Sequence, residues 1–275
     1  MIANLGTALE VVTATDPGMV RSHNEDSMGT DAEIGLAVLA DGMGGYNAGE
    51  VASGIAVAML TTEMKQALEN SDPHALDSTG ETLAEKFVRE NSAKANAAIF
   101  QTAKSQPQYA GMGTTLVVAL FFDNRMTVGH IGDSRLYRLR KDVFEQVTRD
   151  HSLLQEQIDS GMITKEQARY SQNKNLVTRA VGIDPEVETE IHTYTVETGD
   201  IYLLCSDGLS DMVQDEDIHS TLGTLQSNLP LAAKQLVQLA NDSGGRDNIS
   251  VILVRILGDF AVPTGWFAKL KAWFR

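Results

Sequence analysis

Short apolar runs recur along this chain, separated by longer stretches in which apolar and polar residues repeat with the period of a helix. EIGLAVLA at 33–40 is continuous and too short for a helix, so it predicts a buried strand. TALEVVTAT at 7–15 alternates loosely and predicts a strand ended by a turn at Asp16–Gly18. TTLVVALFF (114–122), RMTVGHIG (125–132) and RLYRLR (135–140) predict three more, joined by the short turns DN and GDS. VETEIHTYTV (187–196) and IYLLCS (201–206) predict a hairpin across ETGD, and ISVILVRIL (249–257) a closing strand. Helices are expected from Asn47, with Glu50 at capping-box spacing, to about Leu68, and from Ser78 and Glu81, at the same spacing, to about Lys104. Two more are expected near Asp215–Leu222 and Pro230–Asn241. The stretch 152–175 is polar and helical only in short pieces.

Tight turns between neighbouring strands imply antiparallel pairing, and the helices arrive in pairs. Together these predict an α+β fold with two sheets and helices outside. GDFAVPTG (258–265) reads as a linker to a separate tail. The 275 residues are 43% hydrophobic, enough to bury a real core. No apolar run reaches the roughly 18 residues that span a bilayer. The opening MIANLGTALEVV carries no basic residue ahead of its apolar ones, so no leader is expected. The single cysteine, Cys205, has no internal disulfide partner, which suits a reducing compartment and a cytoplasmic location. A formal net charge of −15 repels phosphate backbones and argues against nucleic acid as a partner.

Acidic residues recur where buried strands meet loops. Asp41 follows GLAVLA, Asp133 follows MTVGHIG, Asp207 follows IYLLCS, Asp247 precedes NISVILVRI, and Asp26 follows the first hairpin in RSHNED. Singly, each is an ordinary turn former. If the strand ends converge, the acids do too, and two carboxylates about 4 Å apart repel by roughly 4 kcal/mol at an effective dielectric of 20. Divalent cations would relieve that repulsion. An oxygen-only donor set without His or Cys at ligand spacing favours Mg²⁺ or Mn²⁺ over Zn²⁺. The glycines after Asp41 would let backbone carbonyls and substrate approach such an ion.

RSHNEDS, VLADGMGG, GMGTTL, GHIGDSRLYRLR, TRDHS, LVTRAVG, LLCSDGLSD and GGRDNISVIL occur in that order between Val11 and Ile256. In this the chain resembles the metal-dependent protein phosphatases of the protein phosphatase 2C family, and most closely their small bacterial serine/threonine members. The resemblance implies an αββα four-layer sandwich, two antiparallel sheets between pairs of helices, spanning residues 7–257. The segment 152–175 would be a flap, and 258–275 a linker and tail. It also implies two tightly bound Mn²⁺ or Mg²⁺ ions and a third, weaker one. Asp41 would bridge two ions, and the Gly42 carbonyl would bind the second. Asp207 and Asp247 would complete the first, with Asp26 in the shell of the second, holding or deprotonating a water. Asp133, with Asp207 and Asp211, would form the third site, and Arg21 would grip the substrate phosphate. The implied reaction is hydrolysis of phosphoserine and phosphothreonine on proteins by direct attack of a metal-activated water. A serine/threonine kinase and its substrates would be partners of a monomeric enzyme.

Several rivals fail on sequence. Cys205 lacks the arginine six residues on that a thiol phosphatase needs; Asp211 stands there. GDS lacks the G-x-S-x-G elbow of a serine hydrolase and is better explained as a hairpin turn, and no phosphate-binding G-x-x-x-x-G-K-[ST] loop exists. A nuclease is disfavoured by the acidic balance. A phosphoprotein-binding pseudophosphatase should have lost a metal carboxylate, yet every expected aspartate is present. His130 reads as a satisfied strand residue, and His23 and His151 as structural. The general acid for the leaving group is unassigned. Met43 stands where eukaryotic relatives carry a histidine, and Tyr46 where many bacterial ones do; a water is the first candidate and His151 the second. The tail WFAKLKAWFR (266–275) holds both tryptophans, with Trp266, Phe267, Leu270, Trp273 and Phe274 on one helical arc and Lys269, Lys271 and Arg275 off it. It would pack on the domain or dock on a membrane surface or protein partner.

Overall fold

The computed structural model describes residues 5–45, 47–168, 171 and 176–262. Its strands are β1 (Leu9–Asp16), β2 (Asp26–Asp31), β3 (Leu36–Met43), β4 (Gly113–Thr114), β5 (Leu116–Phe122), β6 (Arg125–Ile131), β7 (Arg135–Arg140), β8 (Val143–Gln146), β9 (Glu190–Thr195), β10 (Ile201–Cys205) and β11 (Ile249–Ile256). Its α-helices are α1 (Ala48–Asn70), α2 (Leu83–Ser105), α3 (Leu153–Asp159), α4 (Lys165–Ala168), α5 (Asp207–Ser210), α6 (Asp215–Leu225) and α7 (Leu229–Asp242). One sheet has the order β1-β11-β10-β7-β8 and the other β2-β3-β5-β6-β9, with β4 paired to β3. Every pair is antiparallel.

Parity explains why the central strands are apolar throughout. On β3, Leu36, Val38 and Ala40 pack under α1 and α2, while Ala37 and Leu39 face the other sheet. On β10, Tyr202 and Leu204 face the inter-sheet layer and Ile201, Leu203 and Cys205 pack under α6 and α7. A strand buried on both faces has no solvated side to carry polar residues. The three cores stack as helices, sheet, sheet, helices, the αββα sandwich expected.

Local chemistry corrects several boundaries. The second helix starts at Thr82, not Ser78. Thr82 and Glu85 have the same spacing and form the capping box, with the Glu85 amide donating to Thr82 Oγ1 at 3.2 Å and the Thr82 amide to Glu85 Oε2 at 3.1 Å. Asp77 instead closes a turn, accepting from the Thr79 amide at 2.7 Å. Asn47 does precede α1, but its side chain makes no cap hydrogen bond. Asp123 and Asn124, both at positive φ, form the tight turn between β5 and β6 as expected.

The other predicted hairpins do not form. GDS carries the chain from β6 in one sheet to β7 in the other, ETGD carries it from β9 to β10, and the segment after Asp16 carries it from β1 to β2. Strands β2 and β8 escaped the pattern because β2 is polar and half-buried, and β8 lies at an edge. The first residues of the expected linker pack: Phe260 is buried in the inter-sheet core, and its amide donates to Asn124 Oδ1 at 2.9 Å. The tail 266–275 and Tyr46 lie outside the described residues.

Candidate active site

Two of the sheet-to-sheet crossings, at residues 17–25 and 132–134, lie at the same edge as the exits of β3 and β10 and the entry to β11. Asp26 and Asp41 stand directly opposite one another on β2 and β3. Ser206, at the exit of β10, donates to Asp26 Oδ2 at 2.8 Å and so ties the two sheets together. Asn248 repeats the tie: its Oδ1 accepts from the Glu25 amide at 2.8 Å, and its Nδ2 donates to the carbonyls of His23 at 2.8 Å and Pro17 at 3.0 Å. Behind Asp41, the Thr115 amide donates to the Asp41 carbonyl at 2.8 Å, and the Asp41 amide donates to Thr115 Oγ1 at 3.0 Å.

The carboxyls are close enough to perturb one another. Burial, then Asp26, Asp207, Asp133 and Asp247, push Asp41 well above the usual carboxylate range. Burial, then Asp133, Asp211, Asp247 and Asp26, do the same to Asp207. Asp26 is pushed up to about 6 by burial and by Asp247, against the nearby hydroxyls of Ser250 and Ser206, which lower it. Asp133 is pushed up to about 7 by burial, and by Asp150 and Asp211, with Arg135 opposing. Desolvation and like charge act in the same direction here.

The residues fit divalent cations by two observations besides the donor type. Asp26 Oδ1 is buried with no hydrogen-bond partner, an acceptor left for something other than protein. Gly42 hydrogen-bonds through its amide to the Glu25 carbonyl at 3.1 Å, and a Cβ there would collide with the Gly49 carbonyl, so only glycine lets β3 run this close to α1 beside the acids. Asp211 lies one turn beyond Asp207 at the end of α5. A cavity of about 180 Å³ beside them is lined by Asp133, Asp207 and Asp211 and by Leu154 and Ile158 of α3. Another, of about 250 Å³ between Leu68, His74, Phe122 and Phe260, is remote from the acids.

Every candidate from the sequence thus reaches one edge. Arg21 is half-exposed and donates to Asp247 Oδ2 at 2.7 Å. Cys205 is wholly buried, and burial pushes its thiol up to about 12, which removes it as a nucleophile. Ser134, in GDS, shares a buried hydroxyl hydrogen bond with Thr115 at 2.7 Å and is not a hydrolase serine. Three residues were missed: Glu25, Ser206 and Asn248. All lie inside the quoted blocks, but nothing in a linear pattern shows that they join two sheets. Glu25 Oε1 is also buried without a partner, and burial raises its pKa.

A four-layer antiparallel sandwich carrying clustered carboxylates at one edge defines the class of metal-dependent phosphatases. The chain belongs to the protein phosphatase 2C family, whose model matches residues 20–241. It is 37% identical over 243 residues to the serine/threonine phosphatase stp of Listeria innocua, covering 87% of this chain and 93% of that one. Among solved structures it is similar to the serine/threonine phosphatase PstP/Ppp of Mycobacterium tuberculosis, at 37% identity and a TM-score of 0.82, covering 91% of this chain and 99% of that one. It is likewise similar to a PstP catalytic domain in complex with two manganese ions, at 36% identity and a TM-score of 0.78 over the same shares.

Proposed function

We propose that this protein hydrolyses phosphoserine and phosphothreonine on phosphoproteins by direct attack of water, using Mn²⁺ or Mg²⁺ held at the sandwich edge. The observation that carries the proposal is the convergence of Asp26, Asp41, Asp133, Asp207 and Asp247, whose mutual repulsion only cations or protons relieve. Asp41, the Gly42 carbonyl, Asp207, Asp247 and Asp26 would hold two ions, and Asp133, Asp207 and Asp211 a weaker third. When bound, such ions acidify the attacking water and neutralise the phosphoryl oxygens. Asp26, whose Oδ1 is buried without a hydrogen-bond partner, would hold the water or take its proton. Residues 7–257, with Leu5 and Phe260 packed into the same core, form the phosphatase domain, with 152–175 as its flap. A kinase and its substrates as partners, a monomeric state, a cytoplasmic location and docking through 266–275 complete the proposal; no helix among the described residues is long and apolar enough to cross a membrane.

Turnover of a phosphothreonine peptide should appear with Mn²⁺ and vanish in excess chelator. Asp133→Ala should lower kcat while leaving KM near its original value, because it removes a weak cation site and no phosphate contact. Persistent activity in chelator would overturn the metal mechanism, and binding without turnover in Mn²⁺ would make the protein a pseudophosphatase.

Arg21 is half-exposed, so its guanidinium can leave Asp247 for an incoming phosphate. Arg21→Ala should raise KM roughly 10- to 100-fold, the worth of one charge-assisted contact, with little change in kcat. Steady-state kinetics showing the loss in kcat alone would refute the assignment.

A further inference from the structure

Two histidines near the site, His130 and His151, are not spent on the chemistry above, and they occupy one spot. His130 and His151 stack at 4.6 Å with their planes 16° apart, and Glu190 completes a group whose donor atoms lie within 4.8 Å of one another. That spacing invites a metal, but the ring geometry resists it. Imidazole lone pairs lie in the ring planes, and nearly parallel rings aim them side by side instead of at one point. The hydrogen bonds also claim most of the donors. His130 Nε2 donates to the Arg149 carbonyl at 2.8 Å. The Gly132 amide donates to His151 Nδ1 at 3.2 Å, which leaves the proton on Nε2 to donate to Glu190 Oε2 at 3.2 Å.

What the group does join is backbone. The His151 amide donates to the Gly132 carbonyl at 2.9 Å, so residues 132 and 151 are paired twice, once through the ring and once through the main chain. The His151 carbonyl accepts from the Thr178 amide at 2.8 Å, and the Leu153 amide donates to the Leu176 carbonyl at 2.9 Å. His151 therefore sits where the entry to the flap, the exit from the flap and the loop before Asp133 meet. Gly132 holds φ at 103°, a conformation that favours glycine, and its loop makes the crossing between sheets that presents Asp133 to the cluster. Behind the clasp, the half-buried Glu190 is held by a second donor, His192 Nε2 at 3.0 Å.

We infer that His151 is a positioning residue: its ring clasps the Gly132 amide and thereby sets the Asp133 loop against both roots of the flap. The inference rests on the assignment of Asp133 to the weak cation site. It gives His151 a task that excludes the role of general acid, since both of its ring nitrogens are committed inside the fold.

Two substitutions separate the two nitrogens. In His151→Asn the side-chain oxygen stands near the place of Nδ1 and keeps the acceptor for Gly132. In His151→Gln the amide reaches Glu190 but that acceptor is lost. Both are made in the full chain, with amide hydrogen exchange around Gly132 and the flap roots measured beside the Mn²⁺ concentration for half-maximal turnover. His151→Gln should speed exchange at Gly132 about tenfold and raise the half-saturating Mn²⁺ by a similar factor, while His151→Asn stays near the parent in both. Equal damage from both variants, or unchanged exchange at Gly132 in His151→Gln, would overturn the clasp. Faster exchange in His151→Gln with no shift in Mn²⁺ dependence would confine the clasp to the flap and refute its hold on Asp133. If the parent shows no Mn²⁺-dependent turnover, the functional reading fails, and the exchange data still decide the clasp.

Discussion

Asp41→Asn should lower Mn²⁺-dependent turnover by roughly 10³-fold or more while leaving the melting temperature in chelator unchanged or higher. The first half follows from position. Asp41 lies at the centre of the cluster, perturbed by Asp26, Asp207, Asp133 and Asp247 together, and losing it would cost a shared ligand and about 4 kcal/mol of transition-state stabilisation. The second half follows from charge. Without cations the Asp41 carboxylate is buried among like charges, so the neutral amide relieves repulsion at nearly constant volume. A purely structural aspartate would behave the other way, with stability falling and activity following it. Thermal melts in chelator beside kinetics in Mn²⁺ distinguish the two, and retention of a tenth of the parent activity would sink the bridging role.

The second large effect is a pH dependence whose direction depends on metal. A carboxyl whose folded pKa is raised binds its proton more tightly in the folded state. Its contribution to stability is complete below the ordinary value near 3.9 and is lost as pH climbs through the folded value. For Asp26 and Asp133 those folded values are about 6 and about 7, and Asp41 and Asp207 lie well above the ordinary range. Burial shifts His130 and His151 the opposite way, which costs stability only below about pH 6.5. The clean window is therefore pH 6.5 to 8, where the melting temperature in chelator should fall as pH rises. Mn²⁺ should reverse the trend, because protons and cations compete for the same oxygens. At about 100 times its dissociation constant, one ion adds about 2.7 kcal/mol, worth about 5–10 °C at this size. Scanning calorimetry across that window, with and without Mn²⁺, checks both signs. A chelated protein that gains stability from pH 6.5 to 8 would contradict the clustered acids.

The sandwich was legible in the chain because its central strands are buried on both faces. Leu36–Ala40, Leu116–Phe122 and Ile249–Ile256 admit almost no polar residue, and that constraint is local. Asp41 and Asp247, beside two of these strands, and Asp207, after Ile201–Cys205, were legible for the same reason: a charge at the mouth of an apolar run stands out. Pairing was not. GDS and ETGD have the length of hairpin turns, yet each crosses between sheets, because a turn's length does not encode which sheet receives the next strand. The capping box was misplaced by four residues because Ser78–Glu81 and Thr82–Glu85 share one spacing, and only the Asp77 turn decides between them. Glu25, Ser206 and Asn248 became site residues through bonds spanning 180 to 231 positions, and the clasp of His151 on Gly132 joins residues 19 apart. By itself the sequence determined which residues are buried, where the chain bends and which acids it can bring to an edge. Only the tertiary structure decided which backbone atoms hold those acids together, because burial is written in local composition, whereas the partner of a hydrogen bond is chosen by how the sheets stack.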